Sequence, residues 1–164
     1  MRIVKLGLIS FVVLFLIVFG ISLLIPGYIR ISRAVNITAP KDSIQHYLTD
    51  LRQWKQWNGL TTATTVVNPA WSANTFTSDG LQVELKEVKT DTITTNWKQE
   101  GGREIASGFT LHTMDNTTVV QWYFDFKLRW YPWEKFGSII FDKQLGPPME
   151  QSLGALKKKL ESIP

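Results

Sequence analysis

Residues Leu6 to Ile25, LGLISFVVLFLIVFGISLLI, hold no charged side chain, and the uncharged stretch continues to Ile29. As a helix rising about 1.5 Å per residue, this segment is about 30 Å long, which matches the hydrocarbon core of a bilayer. A helix also pairs its own backbone polar groups, as a lipid environment requires. The segment therefore belongs to no water-soluble core, and the fold must be built from Arg30 onward. A secretory signal is the competing reading, because Arg2 and Lys5 form a basic start. Such a signal has a shorter apolar region ending in a small-x-small site. Here the run ends in Ile25-Pro26-Gly27-Tyr28, and the chain has no cysteine for a lipid anchor. The expectation is an uncleaved, single-span membrane anchor over residues 1–29.

Orientation is less strongly encoded, because Arg30 and Arg33 follow the segment as Arg2 and Lys5 precede it. The positive-inside rule then gives little bias. A very short N-terminal tail followed by a folded domain favours the N terminus inside and the domain exported, periplasmic if the source is bacterial. The lack of cysteine is compatible with either side. Gly7 and Gly20 do not form a Gly-x-x-x-Gly dimer face.

Residues 30–164 have the size of one domain with a core of its own. The formal charge of the chain is +4, and Arg2 and Lys5 supply two of those charges, leaving +2 for the rest. That balance is too weak and scattered for a nucleic-acid partner. Lys157-Lys158-Lys159, the one basic cluster, suits the negative end of a helix.

Along this domain, Tyr28–Ile37 alternates weakly and reads as a first strand. Pro40 can open a helix, and Ile44, Tyr47, Leu48, Leu51 and Trp54 follow at helical spacing. Pro40 to about Trp57 is thus one helix, or two short ones bent near Asp50. From Thr61 the period becomes two, with turns at Asp79-Gly80, Lys89–Asp91, Gly101-Gly102 and Asp115-Asn116. Leu81, Val83 and Leu85 share one face of a strand; Ile93, Thr95 and Trp97 share a face of the next, and Phe109 and Leu111 of another. Thr118–Arg129 is the clearest strand, with Val120, Trp122, Phe124, Phe126 and Leu128 on one face, and it is too long and aromatic for an edge. Beyond Pro132 helical spacing returns through Trp133, Phe136, Ile139, Ile140 and Leu145. After Gly146-Pro147-Pro148 a long amphipathic helix carries Met149, Leu153, Leu156 and Leu160. This order predicts an α+β fold with helices on one face of a curved antiparallel sheet.

Val35-Asn36-Ile37-Thr38-Ala39-Pro40, leading into Ile44, Tyr47-Leu48, Asp50-Leu51, Trp54 and Trp57, resembles the SRPBCC superfamily, the START-related, polyketide-cyclase-like proteins of helix-grip fold. The tail, Phe141-Asp142-Lys143-Gln144-Leu145-Gly146-Pro147 followed by Leu153-Gly154-Ala155-Leu156-Lys157, is similar to the bacterial branch with an N-terminal membrane helix. The likeness spans nearly the whole chain. It implies a curved antiparallel sheet wrapped around a long C-terminal helix, with an apolar cavity between them. Many such proteins bind lipids or other hydrophobic molecules, and some are cyclases or hydrolases. One departure is Asn58-Gly59, near which relatives often place a proline.

Catalysis needs ionisable groups held together in shelter, and few are available. His46 lies beside the apolar stripe of the first helix and His112 beside Leu111, both expected at the surface. No metal-ligand spacing, phosphate-binding glycine loop or serine nucleophile motif appears. Glu84, Glu104 and Asp125 fall on strand positions read as outward. No catalytic residue, metal or cofactor is expected. The inward aromatics suit a packed core, and the resemblance implies instead that such residues line a cavity. The candidates are Trp54, Trp57, Leu85, Trp97, Phe109, Leu111, Trp122, Phe124, Phe126, Phe136, Met149 and Leu153. Trp130, Tyr131, Trp133 and Phe136 fall outside a clean strand period. Packing under the C-terminal helix is the favoured role for them, ahead of a cavity lip or a contact with the membrane interface. The leading functional expectation is a membrane-anchored module binding a small hydrophobic molecule or lipid. A cyclase- or hydrolase-type enzyme and a ligand-free, membrane-tethered scaffold are the alternatives.

Overall fold

A computed structural model describes residues 2–162. Arg2–Leu24 form α1, an apolar helix whose side chains are exposed apart from Ser22 and the half-buried Phe19. It is long and apolar enough to cross a membrane. After Pro26-Gly27 the chain enters β1 (Tyr28–Ile37), the strand expected there. The helix expected next is two pieces: α2 (Lys41–Thr49) and a 3-10 helix, Leu51–Gln56. Asp50 separates them, in an extended conformation, and its side chain accepts from the backbone N–H of Arg52. An aspartate at this position caps the second piece and so restarts rather than continues the helix.

Thr61, expected to begin the strands, lies instead in α3 (Gly59–Thr62). Local capping and tertiary docking override its strand propensity: Asn58 Oδ1 accepts from the Leu60 N–H, and the Gly59 N–H donates to Ser152 Oγ at 2.9 Å. Six strands follow: β2 (Val67–Trp71), β3 (Thr75–Asp79), β4 (Leu81–Val88), β5 (Thr92–Gln99), β6 (Glu104–Met114) and β7 (Thr117–Lys127). The sheet order is β1-β7-β6-β5-β4-β3-β2, every neighbouring pair antiparallel. The long aromatic strand β7 is interior, as its composition predicts. Register irregularities between Leu85 and Glu87 in β4 and between Val67 and Ala70 in β2 promote the twist of a curved sheet. Pro69 sits in the edge strand β2, where a missing N–H costs no ladder bond.

α4 (Pro132–Gly137), a 3-10 turn (Ser138–Ile140) and α5 (Phe141–Glu161) complete the chain. The sequence places the start of the long helix after Gly146-Pro147-Pro148, but α5 is helical from Phe141 through both prolines. Two prolines leave the carbonyls of Lys143 and Gln144 without their usual donors four residues on. Arg33, on β1, supports the segment by pairing with Asp142 at 2.9 Å and Glu150 at 2.6 Å. Gly146 lies under that guanidinium, and a Cβ there would come within 2.2 Å of Arg33 Nη2. The result is a helix-grip α+β fold, a seven-stranded antiparallel sheet curved around the C-terminal helix.

The antiparallel order gives the sheet two distinct ends. One gathers the start of β1, the end of β7, the β5–β6 turn and the β3–β4 turn, and α1 leaves from it. At this end Leu128 N donates to Gly27 O, and Lys135 Nζ donates to Ile25 O at 2.8 Å. The buried Lys135 thereby fills a carbonyl at the C-terminal end of α1, where a cation is favoured. The other end, distal to α1, receives α2 and the C-terminal turn of α5, where the Thr38 N–H donates to Glu161.

Candidate functional site

The distal and central parts of the grip are filled. Trp54 and Trp57, carried by the 3-10 helix and its end, enter the sheet's concave face. Trp54 stacks on Trp97 with centroids 6.0 Å apart and meets Phe109 edge-on at 5.9 Å, while Trp57 meets Trp122 edge-on at 6.1 Å. Each of the four indole N–H groups in this cluster has an acceptor: Trp54 donates to Leu48 O, Trp57 to Tyr47 O, Trp97 to Thr95 Oγ1 and Trp122 to Ser107 Oγ. With those partners these four tryptophans contribute their large apolar area without an unpaired indole N–H. Leu111, Met149 and Leu153 pack into the same cluster.

Toward the end from which α1 leaves, the space between sheet and helix is open, with a cavity volume of about 920 Å³. Its apolar wall comes from Leu81, Trp97, Ile105, Phe124, Phe126 and Leu128 on the strands and their ends, and from Leu60, Val66, Phe141 and Leu145. Exposed Asp79, Gln99, Arg103, Glu104 and Lys127 form its polar rim. Arg103 ties the rim together, donating to Lys127 O at 3.0 Å and pairing with Glu134 of α4. Glu134 also accepts from the Arg129 N–H. The volume falls within the roughly 300–1,000 Å³ typical of small-molecule sites.

Of the residues proposed from sequence, Trp97, Phe124 and Phe126 line this cavity. Trp54, Trp57, Phe109, Leu111, Trp122, Met149 and Leu153 lie in the packed cluster beside it and not on its wall. Leu85 is half-buried at the β4 irregularity, and Phe136 is half-buried in α4; neither faces the cavity. Besides Phe141 and Leu145 of α5, the wall residues outside the sequence set are of two kinds. Leu81, Ile105 and Leu128 continue the alternation of their strands, so periodicity contained them. Leu60 and Val66 lie in or after a short helix with no such period.

Trp130 and Trp133 do not pack under the C-terminal helix: they are 62% and 67% exposed. Trp130 precedes proline-started α4 and packs against Phe19 of α1, while Trp133, inside α4, stacks on Tyr131.

The ionisable groups near the site are structural in arrangement. On the convex face Arg30 forms a double contact with Asp125, Nε to Oδ1 and Nη2 to Oδ2, each 2.7 Å. The Arg30 hydrogen bonds, against a smaller opposing effect of burial, hold the Asp125 carboxyl below the usual carboxylate range. Arg30 also lies over the Tyr123 ring at 4.2 Å. Asp50 is likewise lowered, chiefly by hydrogen bonds from Arg52. Glu104 faces outward at the cavity rim and accepts from Asn96 Nδ2. His46 and His112 are exposed on separate elements. Among the described residues no three His, Asp or Glu side chains converge as a metal site.

Residues 28–161 match the family described as polyketide cyclase/dehydrase and lipid transport. The chain belongs to this family. No curated protein is significantly similar in sequence. Among solved structures, DynU16 of the dynemicin biosynthetic locus superposes with a TM-score of 0.56 at 21% identity; the match covers 81% of this chain but only 47% of DynU16. CalU16 from Micromonospora echinospora gives 0.57 at 14% identity, covering 82% of this chain and 76% of its own. A START superfamily protein from Mycobacterium smegmatis gives 0.58 at 14% identity, covering 82% and 99% respectively. These likenesses establish a shared fold. For this member of the polyketide cyclase/dehydrase and lipid transport family, function must be argued from the cavity.

Proposed function

We propose that the protein is a membrane-anchored binding module that holds one small hydrophobic molecule or lipid in the cavity between its sheet and C-terminal helix. The observation that carries this reading is the open, apolar half of the grip beside a half packed solid with tryptophan. An unfilled volume walled by Ile105, Phe126, Phe141 and Leu145 forgoes packing that the same sheet achieves elsewhere. A bound apolar molecule would restore those contacts and leave its polar end at the rim of Arg103, Glu104 and Lys127. The family's description, which includes lipid transport, agrees with this class of ligand. α1 would anchor the module in the bilayer, where such molecules concentrate. The chemistry near the cavity gives less support to an enzyme, since its ionisable groups are rim ion pairs rather than a sheltered acid–base set.

Native mass spectrometry of the full chain released from lipid nanodiscs tests the reading, with Ile105→Trp as the cavity-filling comparison. The expected result is a defined apolar species bound one-to-one to the wild type and lost from Ile105→Trp, with folding retained by circular dichroism. Identical spectra for both proteins, bare or loaded, would contradict it.

A further inference from the structure

Trp130, Trp133, Ile139 and Ile140 are 62%, 67%, 63% and 52% exposed, and all lie within the short segment between β7 and α5. The other large apolar side chains exposed on the sheet, such as Val67, Val88 and Met114, are on separate strands. Isolated exposed apolar residues are ordinary, whereas a cluster marks an interaction surface. The cluster is also ordered: Tyr131 stacks on Trp133 with centroids 4.8 Å apart and planes 6° apart, and Trp130 packs on Tyr131 at 4.7 Å.

Its position relative to α1 identifies the partner. Trp130 meets the ring of Phe19 edge-on at 6.2 Å, and Lys135 of α4 holds the carbonyl of Ile25. Phe19 precedes Ile25 by about 9 Å along the helix. If α1 spans a bilayer with Ile25 near the hydrocarbon edge, Trp130 beside Phe19 lies on the lipid side of that edge, next to the interface where tryptophan and tyrosine concentrate. Glu134 and Lys135, the charged residues of α4, are engaged by Arg103 and the Ile25 carbonyl, while Trp133 between them and Pro132 is exposed to the outside. The same elements border the cavity: Glu134 is on its rim, and Phe141, next after Ile140, is on its wall.

We propose that Trp130, Tyr131, Trp133, Ile139 and Ile140 form an apron that inserts into the lipid interface beside α1 and seats the cavity mouth against the bilayer. A hydrophobic ligand then passes between membrane and cavity without crossing bulk water. The proposal rests on reading α1 as a membrane span, and its test separates the two.

Because the chain contains no cysteine, single labels can be placed cleanly. Trp133→Cys, Ile139→Cys, Val13→Cys within α1 and Thr113→Cys at the distal end of β6 would each carry an environment-sensitive fluorophore. The full chain would be reconstituted in phosphatidylcholine vesicles with and without doxyl-labelled lipid. The expected result is blue-shifted emission, quenched at least twofold by doxyl lipid, at positions 13, 133 and 139 but not at 113. Quenching at 13 alone would overturn the apron while leaving the anchor intact. Water-like emission at 13, 133 and 139 together would overturn both.

Discussion

On β6 and β7, Phe109 and Trp122 lie beneath Trp54 and Trp57, while four residues nearer α1, Ile105 and Phe126 face an open cavity. All four strand residues obey one alternation and point to one face. They differ in what comes down on them. At the distal end the 3-10 helix after Asp50 delivers two indoles and α5 adds Met149 and Leu153; at the proximal end α5 contributes only the segment before Pro147-Pro148. Inward orientation therefore determines which residues leave water, but the covering elements determine whether they meet protein or space for a ligand.

This contrast fails if the plug is not bearing on the fold's stability. Trp54→Ala is expected to cost about 3–5 kcal/mol, the range for removing a fully buried tryptophan. Ile105→Ala, half-buried on the cavity wall, should cost less than that, since part of its side chain already faces open space and loses less apolar burial. Urea denaturation of both variants checks the difference, and equal losses would erase the distinction between the halves.

Next in size is the support of the proline-containing turn of α5. Gly146→Ala places a methyl against the Arg33 guanidinium and is expected to cost about 1–3 kcal/mol. In the Arg33→Ala background the same substitution should cost markedly less, because the clash is gone. A double-mutant cycle measures that coupling, and simple additivity would show that Arg33 does not clamp this turn.

The smallest effect expected is electrostatic. The Asp125 carboxyl is held below its ordinary range in the folded protein, so its contribution is fully present above the unfolded carboxylate pKa and is lost as pH falls through the folded one. Arg30 is half exposed, so solvent screening limits the pair to about 1 kcal/mol or less. Asp125→Asn should flatten the acid limb of a stability-versus-pH curve, and an unchanged acid limb would show that the pair with Arg30 does not contribute.

Much of the architecture was legible in the chain. The β1 span, the interior placement of β7 and the turns at Asp79-Gly80 and Asp115-Asn116 follow from alternation and turn chemistry. Periodicity also marked Trp97, Phe124 and Phe126 as inward. It had no means of separating them from Phe109 and Trp122, because wall and plug share one period. α3 was hidden because its helix depends on the Asn58 cap and on Ser152, ninety-odd residues distant along the chain. The outward placement of Trp130 was hidden for a related reason: its neighbour is Phe19 of α1, a contact no local pattern encodes.

The most direct measurement is photocrosslinking of the full chain in nanodiscs with a diazirine-bearing fatty acid, the adducts mapped by peptide mass spectrometry. Label concentrated on Leu81, Ile105, Phe126 and Leu145, and suppressed by Ile105→Trp, is the predicted result. Label absent from those residues, or spread equally onto Trp54, Leu111 and Leu153 in the packed half, would contradict a ligand site in the open half of the grip.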